Sequence, residues 1–203
     1  MSIRIGRARP QQIREWCADL RHLARTSAIS PIRHRARSSN DRWLDGQALD
    51  ETWDERSRLM ARSIPAASRV VDVGAGAQAL RSALAPDCIY MPIDVVSRTP
   101  DTIVCDLNHE QPPTLLADYL VASGVLEYIT DVSRLVSWMG STAPHIILSY
   151  EGADGQSRHY RRKSGWVNDY TDSEVRELLT HHGLRVTESA TWRQQTIYWL
   201  EPA

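Results

Sequence analysis

Cysteine is scarce in this chain of 203 residues: Cys17, Cys88 and Cys105 stand apart, without the spacing of a metal site or a disulfide framework. Isolated thiols of that kind suit reduced core positions, and a cytoplasmic protein is expected. No apolar run approaches the roughly 20 residues of a membrane-spanning helix, and no apolar stretch near the start reads as a secretory signal. The seven histidines show no ligand spacing, so no metal site is predicted. Lysine is nearly missing as well, with Lys163 alone among 24 basic residues, a bias that carries no functional reading. What remains is a chain of net charge −1 and 42% apolar residues, long enough to bury the core of one globular domain.

The charge is unevenly spread. Residues 1–42 hold ten arginines against Glu15, Asp19 and Asp41. Residues 1–46 therefore read as an Arg-rich helical arm and linker, helical over Gln11–Arg25, ahead of a folded domain at 47–203. Nucleic acid is an unexpected partner, because the basic residues are not interleaved with aromatics on which bases could stack.

The most informative stretch is Arg69-Val-Val-Asp-Val-Gly-Ala-Gly-Ala-Gln-Ala-Leu80, a short apolar strand breaking into a glycine turn and a helix-like segment. A strand feeding such a turn lets the backbone approach a nucleotide-like ligand, and a Cβ at the glycines would obstruct it. Cys88–Asp94 then reads as a second strand ending in a carboxylate 18 residues after Gly76, where an acid can accept hydrogen bonds from a ribose diol. Thr102–Asp106, Asp118–Ser123 and His145–Tyr150 read as further strands. Asp94, Asp106 and Ser123 all end strands where an open parallel sheet forms its ligand crevice. After a helix over Ser173–His182, with Asp172 or Ser173 as its cap, Leu184–Trp192 and Gln195–Leu200 alternate like an antiparallel hairpin.

In Val71-Asp-Val-Gly-Ala-Gly76, Pro92-Ile-Asp94, Cys105-Asp-Leu-Asn108 and Gly124-Val-Leu-Glu-Tyr-Ile129, the chain resembles a class I S-adenosylmethionine-dependent methyltransferase over about residues 50–200. The last two motifs resemble a bacterial subgroup associated with polysaccharide and lipopolysaccharide gene clusters. The resemblance implies an α/β fold: a Rossmann-like, seven-stranded, mostly parallel sheet with helices on both faces and a C-terminal antiparallel hairpin. It implies S-adenosylmethionine as cofactor, with Asp72 and the turn Gly74, Ala75 and Gly76 beside its methionine part. Asp94 would hold the ribose, Asp106 and Leu107 the adenine, and Ser123 would lie near the sulfonium. In similar methyltransferases the helix before the first strand, here 47–63, crosses the cofactor pocket, which would let Trp53 pack on the cofactor and Arg56 pair with its carboxylate; core packing for Trp53 and a surface charge for Arg56 is the alternative, and the one slightly favoured. Gln78 departs from the family pattern, which has a small residue there, and is expected to contact or cover ligand.

Glu151–Asp172 is a long polar connection whose Arg158, Tyr160, Arg161, Trp166 and Asn168 suit a small or glycan-like, anionic acceptor. The same segment also suits a homodimer contact. A hydroxyl acceptor benefits from a general base, for which His159, Tyr128, Glu127 and His109 are the candidates, and O-methylation is expected. Two alternatives stay open. Gly74-x-Gly76-x-x-Ala79 also fits an NAD(P)-dependent oxidoreductase, although Tyr160 and Lys163 are three apart rather than the four of a short-chain dehydrogenase. A catalytically inactive binding or scaffold subunit of the same fold is the other.

Overall fold

The computed structural model describes residues 40–44 and 49–203. The arm helix expected over Gln11–Arg25 lies outside the described residues. A short helix α1 (Asp41–Leu44) precedes α2 (Trp53–Ala61), β1 (Arg69–Val73), α3 (Ala79–Ala83), β2 (Ile89–Asp94) and β3 (Ile103–Val104). There follow β4 (Tyr119–Ser123), α4 (Val132–Thr142), β5 (His145–Tyr150), α5 (Arg158–Lys163), α6 (Asp172–His181), β6 (Leu184–Trp192) and β7 (Gln195–Pro202).

The seven strands form one sheet in the order β3-β2-β1-β4-β5-β7-β6. The first five are parallel, and β7 inserts antiparallel between β5 and β6. Two-residue periodicity sends alternate side chains to opposite faces. Val71, Val73, Leu120, Ala122, Ile146 and Leu148 meet Leu135, Val136 and Met139 of α4 and Val175, Leu178 and Leu179 of α6. Val70, Val121, Ile147 and Ile197 point the other way, onto Met60 and Ala61 of α2 and Leu80 of α3. Burial on both sides is why β1, β4 and β5 read as near-continuous apolar runs. Each fully buried Val, Leu or Ile contributes about 1.5–3 kcal/mol.

Three expectations need adjusting. Of the helix expected over 47–63, α2 spans Trp53–Ala61, while 49–52 form a bend and turn and 47–48 lie outside the described residues. The third strand is only two residues long, although Cys105 N–H still donates to Asp94 O at 3.0 Å and carries the chain past the edge. Helix α6 is capped by Thr171, whose hydroxyl accepts from Glu174 N–H while the Glu174 carboxylate reaches back to Thr171 N–H, rather than by Asp172 or Ser173. Among the described residues, no helix is long and apolar enough to cross a membrane.

Candidate functional site

The carboxyl ends of β1, β2, β4 and β5 open onto a cleft of about 310 Å³. Its floor is the glycine turn. Gly74 and Ala75 N–H donate to Ile93 O at 2.8 and 3.1 Å, drawing the turn against β2. Gly74 sits at φ +66°, and a Cβ there would come within 2.5 Å of Val125 Cγ2. Gln78 is also left-handed (φ 59°) and buried, but its amide donates to Thr99 Oγ1 at 2.6 Å and does not line the cleft. It staples the turn to the segment after β2, which corrects the expectation that it contacts ligand.

Asp94, half-buried at the end of β2, accepts Gly76 N–H on Oδ2 (2.8 Å) and Val96 N–H on Oδ1 (2.9 Å). Each oxygen keeps a lone pair, so the carboxylate is oriented by the backbone and still able to accept two hydroxyls. Asp106 is tied more fully: Asn40 Nδ2 and His109 Nδ1 lie 2.7 Å from Oδ2, and Asn108 N–H donates to Oδ1 at 2.9 Å. Burial opposes its charge, but these hydrogen bonds outweigh burial and hold the carboxyl below its usual range. Leu107 and Cys105 add an apolar slot beside it.

Asp72 is buried on the second face and accepts the Tyr90 hydroxyl at 2.5 Å. Burial pushes its carboxyl up to about 7, with the Tyr90 hydrogen bond opposing and the charge of Asp94 adding to the rise. Arg56, on α2, reaches across to the ends of β4 and β7. Its Nε donates to Ser123 Oγ at 2.7 Å and its Nη1 to Gln195 Oε1 at 2.6 Å, with Nη2 3.3 Å from Ser123 O. The guanidinium lies 5.2 Å from the Trp192 ring centroid and 5.7 Å from that of Trp53. These contacts leave two N–H donors for a ligand.

At the β4–β5 end stand Glu127, Tyr128, Glu151, Trp43 and Trp166, all lining the cleft. Glu127 is 1% exposed. Its Oε1 accepts Glu151 N–H at 2.8 Å, and its Oε2 has no hydrogen-bond partner among the described residues. Burial raises this carboxyl to about 7 against the pull of backbone hydrogen bonds and of Arg56 and Arg161. Tyr128 meets Trp43 edge-on, with ring centroids 5.0 Å apart. Burial pushes the Tyr128 hydroxyl up as well.

The 151–172 segment is built differently from the expectation. Arg161 is fully buried rather than presented to an acceptor. Its guanidinium donates to Glu151 O (2.8 Å), the Tyr150 hydroxyl (2.9 Å) and Asn168 O (3.2 Å), and it pairs with Asp169 at 3.2 Å. Asn168, also fully buried, accepts the Tyr150 hydroxyl at 2.7 Å and donates to Leu126 O and Ile129 O. Arg158 and Arg162 turn onto Asp169 too, at 3.2 and 2.7 Å. The three arginines that suggested an anionic acceptor, Arg158, Arg161 and Arg162, are thus paired within the segment. Tyr160 and His159 are exposed and do not line the cleft, nor does His109, which serves Asp106.

The cleft therefore brings together Asp72, Gly74, Ala75, Gly76, Asp94, Asp106, Leu107, Ser123, Glu127, Tyr128 and Trp166. It leaves out His109, Arg158, His159, Tyr160, Arg161 and Asn168. Asn40, Glu151, Trp192 and Gln195 join it without having been singled out in the sequence. Glu151 follows β5 directly, and the strand-end rule that selects Asp94 and Ser123 selects it as well. Among the described residues no cluster of His, Cys, Asp or Glu is arranged for a metal ion.

No protein-family model and no curated protein sequence matches the chain. Solved structures do match its fold. One is the complex between the Haloferax volcanii Trm112 methyltransferase activator and a protein described as a methyltransferase by assignment only, at 16% identity and TM-score 0.65, covering 82% of this chain and 97% of that one. Another is the Burkholderia thailandensis 1,6-didemethyltoxoflavin-N1-methyltransferase with its acceptor and S-adenosylhomocysteine bound, at 16% identity and TM-score 0.61, covering 99% and 93%. A third is the N-methyltransferase NodS from Bradyrhizobium japonicum WM9 with S-adenosylhomocysteine, at 19% identity and TM-score 0.56, covering 73% and 85%. At these identities the likeness is one of fold, and the fold is the Rossmann-like methyltransferase fold.

Proposed function

We propose that this chain is an S-adenosylmethionine-dependent methyltransferase acting on a small molecule. The observation that carries the reading is Asp94: a carboxylate fixed by the Gly76 and Val96 N–H groups, with a lone pair left on each oxygen, at the end of β2 beside the glycine turn. The other groups fit the same cofactor. The two remaining Arg56 donors suit a carboxylate, Asp72 and the open turn suit the methionine amine, and Asp106 with Leu107 suits adenine. The antiparallel β7 between β5 and β6 also supports this reading over an NAD(P) enzyme, whose doubly wound sheet runs 3-2-1-4-5-6 without such an insertion.

S-adenosylmethionine held by these residues would supply a methyl carbon on a sulfonium, to be displaced by an acceptor lone pair with the carbon–sulfur electrons left on sulfur. The chain's contribution is alignment in a water-poor cleft and removal of the acceptor proton. We assign that proton to Glu127, which lines the cleft and whose buried Oε2 has no partner among the described residues. Tyr128, Trp43 and Trp166 would bracket the acceptor. An anionic acceptor, expected from the arginines of 151–172, draws no support from them, because Arg158, Arg161 and Arg162 are paired with Asp169.

The test is calorimetric titration with S-adenosylmethionine, with NAD(H) and NADP(H) as controls, on wild type and Asp94→Ala. Two charge-assisted hydrogen bonds at about 1.5 kcal/mol each predict a loss of roughly 100-fold in Asp94→Ala. Binding of a nicotinamide nucleotide alone would reject the reading, and no binding at all would favour a scaffold subunit.

A further inference from the structure

We infer that Asn40 holds the place of the adenine 6-amino group on Asp106, so that an arriving cofactor displaces it and with it the helix α1, which covers part of the acceptor end of the cleft. This adds a step to the methyltransferase reading and rests on it. Asp106 is nearly saturated. Its Oδ2 has two partners, Asn40 Nδ2 and His109 Nδ1, each at 2.7 Å. Oδ1 takes Asn108 N–H, and the Asp106 N–H is itself used by Glu110 Oε2 at 3.2 Å. Asn108, His109 and Glu110 belong to the loop that Asp106 begins, whereas Asn40 reaches in from another element and lines the cleft. Its planar amide sets an NH2 beside an acceptor oxygen, as adenine sets its amino group beside a ring nitrogen. A purine in the slot of Leu107 and Cys105 therefore gains Asp106 Oδ2 only by taking the place of Asn40. The remaining lone pair is on Oδ1; if adenine used that instead, removing Asn40 would be silent.

Asn40 does not move alone. Its carbonyl accepts Trp43 N–H at 2.9 Å and closes the first turn of α1. The helix has no buried residue, so contacts at its rim hold it. On the adenine side, Arg98 Nη2 donates to Trp43 O at 2.6 Å. At the acceptor end, Trp43 meets Tyr128 edge-on, and the Arg42 guanidinium lies 4.7 Å from the Trp43 centroid and 5.6 Å from that of Tyr128. Arg42 Nη1 also donates to Ser164 O, in space that a Cβ on Gly165 would fill. The helix that occupies Asp106 through Asn40 thus covers Tyr128 through Arg42. Adenine, by displacing Asn40, loosens that cover, and cofactor binding precedes acceptor entry.

Calorimetric titration of wild type and Asn40→Ala tests this, with S-adenosylhomocysteine and with its analogue carrying hydrogen in place of the 6-amino group. Freeing one hydrogen-bond site on a charged carboxylate predicts that Asn40→Ala binds S-adenosylhomocysteine about tenfold more tightly than wild type, with no gain for the analogue. Limited trypsin digestion reads the helix itself. S-adenosylhomocysteine should speed cleavage after Arg42 in wild type, to the rate that Asn40→Ala shows without ligand. The inference is overturned if Asn40→Ala binds S-adenosylhomocysteine no more tightly, if the analogue gains as much, or if the ligand protects Arg42. Absence of binding to both proteins would reject the methyltransferase reading and the inference with it.

Discussion

Replacing Arg161 with methionine separates two descriptions of the 151–172 segment. If Arg161 were an acceptor contact on an exposed loop, Arg161→Met would leave stability untouched and only weaken acceptor binding. In the structure its guanidinium holds Glu151 O, Asn168 O, the Tyr150 hydroxyl and Asp169 together beneath the acceptor end of the cleft. Methionine keeps most of the stem's volume but returns none of the donors. Two buried carbonyls lose a charged partner, at about 1–3 kcal/mol each. Asp169 retains Arg158 and Arg162, so its own carboxylate is not stranded. The loss should therefore lie near the lower end of the range for a broken buried ion pair, about 3 kcal/mol. For a folded unit of this size that corresponds to a fall in Tm of about 10 °C. Differential scanning calorimetry reads the melt, and titration with S-adenosylhomocysteine checks that the cofactor end is intact. A variant melting within about 2 °C of wild type would refute the structural role given to Arg161.

Glu127 and Asp72 make stability depend on pH. Burial raises both carboxyls, from 4.5 and 3.8 to about 7, so the folded chain holds protons that the unfolded chain has released. Their contribution is fully present below about pH 4, declines as pH rises through the unfolded values and is lost above about 7. Urea denaturation should show less stability at pH 8 than at pH 5.5, and Glu127→Gln should flatten that slope; an unchanged slope in the variant would contradict the assignment. Gly74→Ala should cost about 1–3 kcal/mol from its left-handed backbone, and more from the clash with Val125. Adding Val125→Ala should recover the clash and leave the backbone part, which paired denaturation curves would resolve; full recovery would mean that the φ of +66° imposes no cost.

The sheet was legible because its strands are buried on both faces, so β1, β4 and β5 read as apolar runs ending in polar residues at the crevice. The hairpin of β6 and β7 was legible from alternation around Arg193 and Gln194. The function of Arg161 was not. A sequence shows an arginine among arginines, and only the tertiary fold brings Tyr150, Glu151 and Asn168 around it. The same limit hid Gln195 and Asn40, whose partners Arg56 and Asp106 lie 139 and 66 residues away. Gln78 looked like a defect in a ligand loop because its partners, Thr99 and Thr102, belong to the next crossover.

The insertion of β7 between β5 and β6 has a bearing on biosynthesis. A chain emerging from the ribosome can assemble β1 to β5 early, but the edge of β5 stays unpaired until Gln195–Pro202 has been made. Only then does Gln195 arrive to receive Arg56, a residue translated long before it. A nascent or prematurely terminated chain thus exposes a naked strand edge, a recognisable mark for chaperones and proteases, and lacks a finished ligand cleft. Synthesis of β7 thus also delivers Gln195, the residue that fixes Arg56 on the cleft wall.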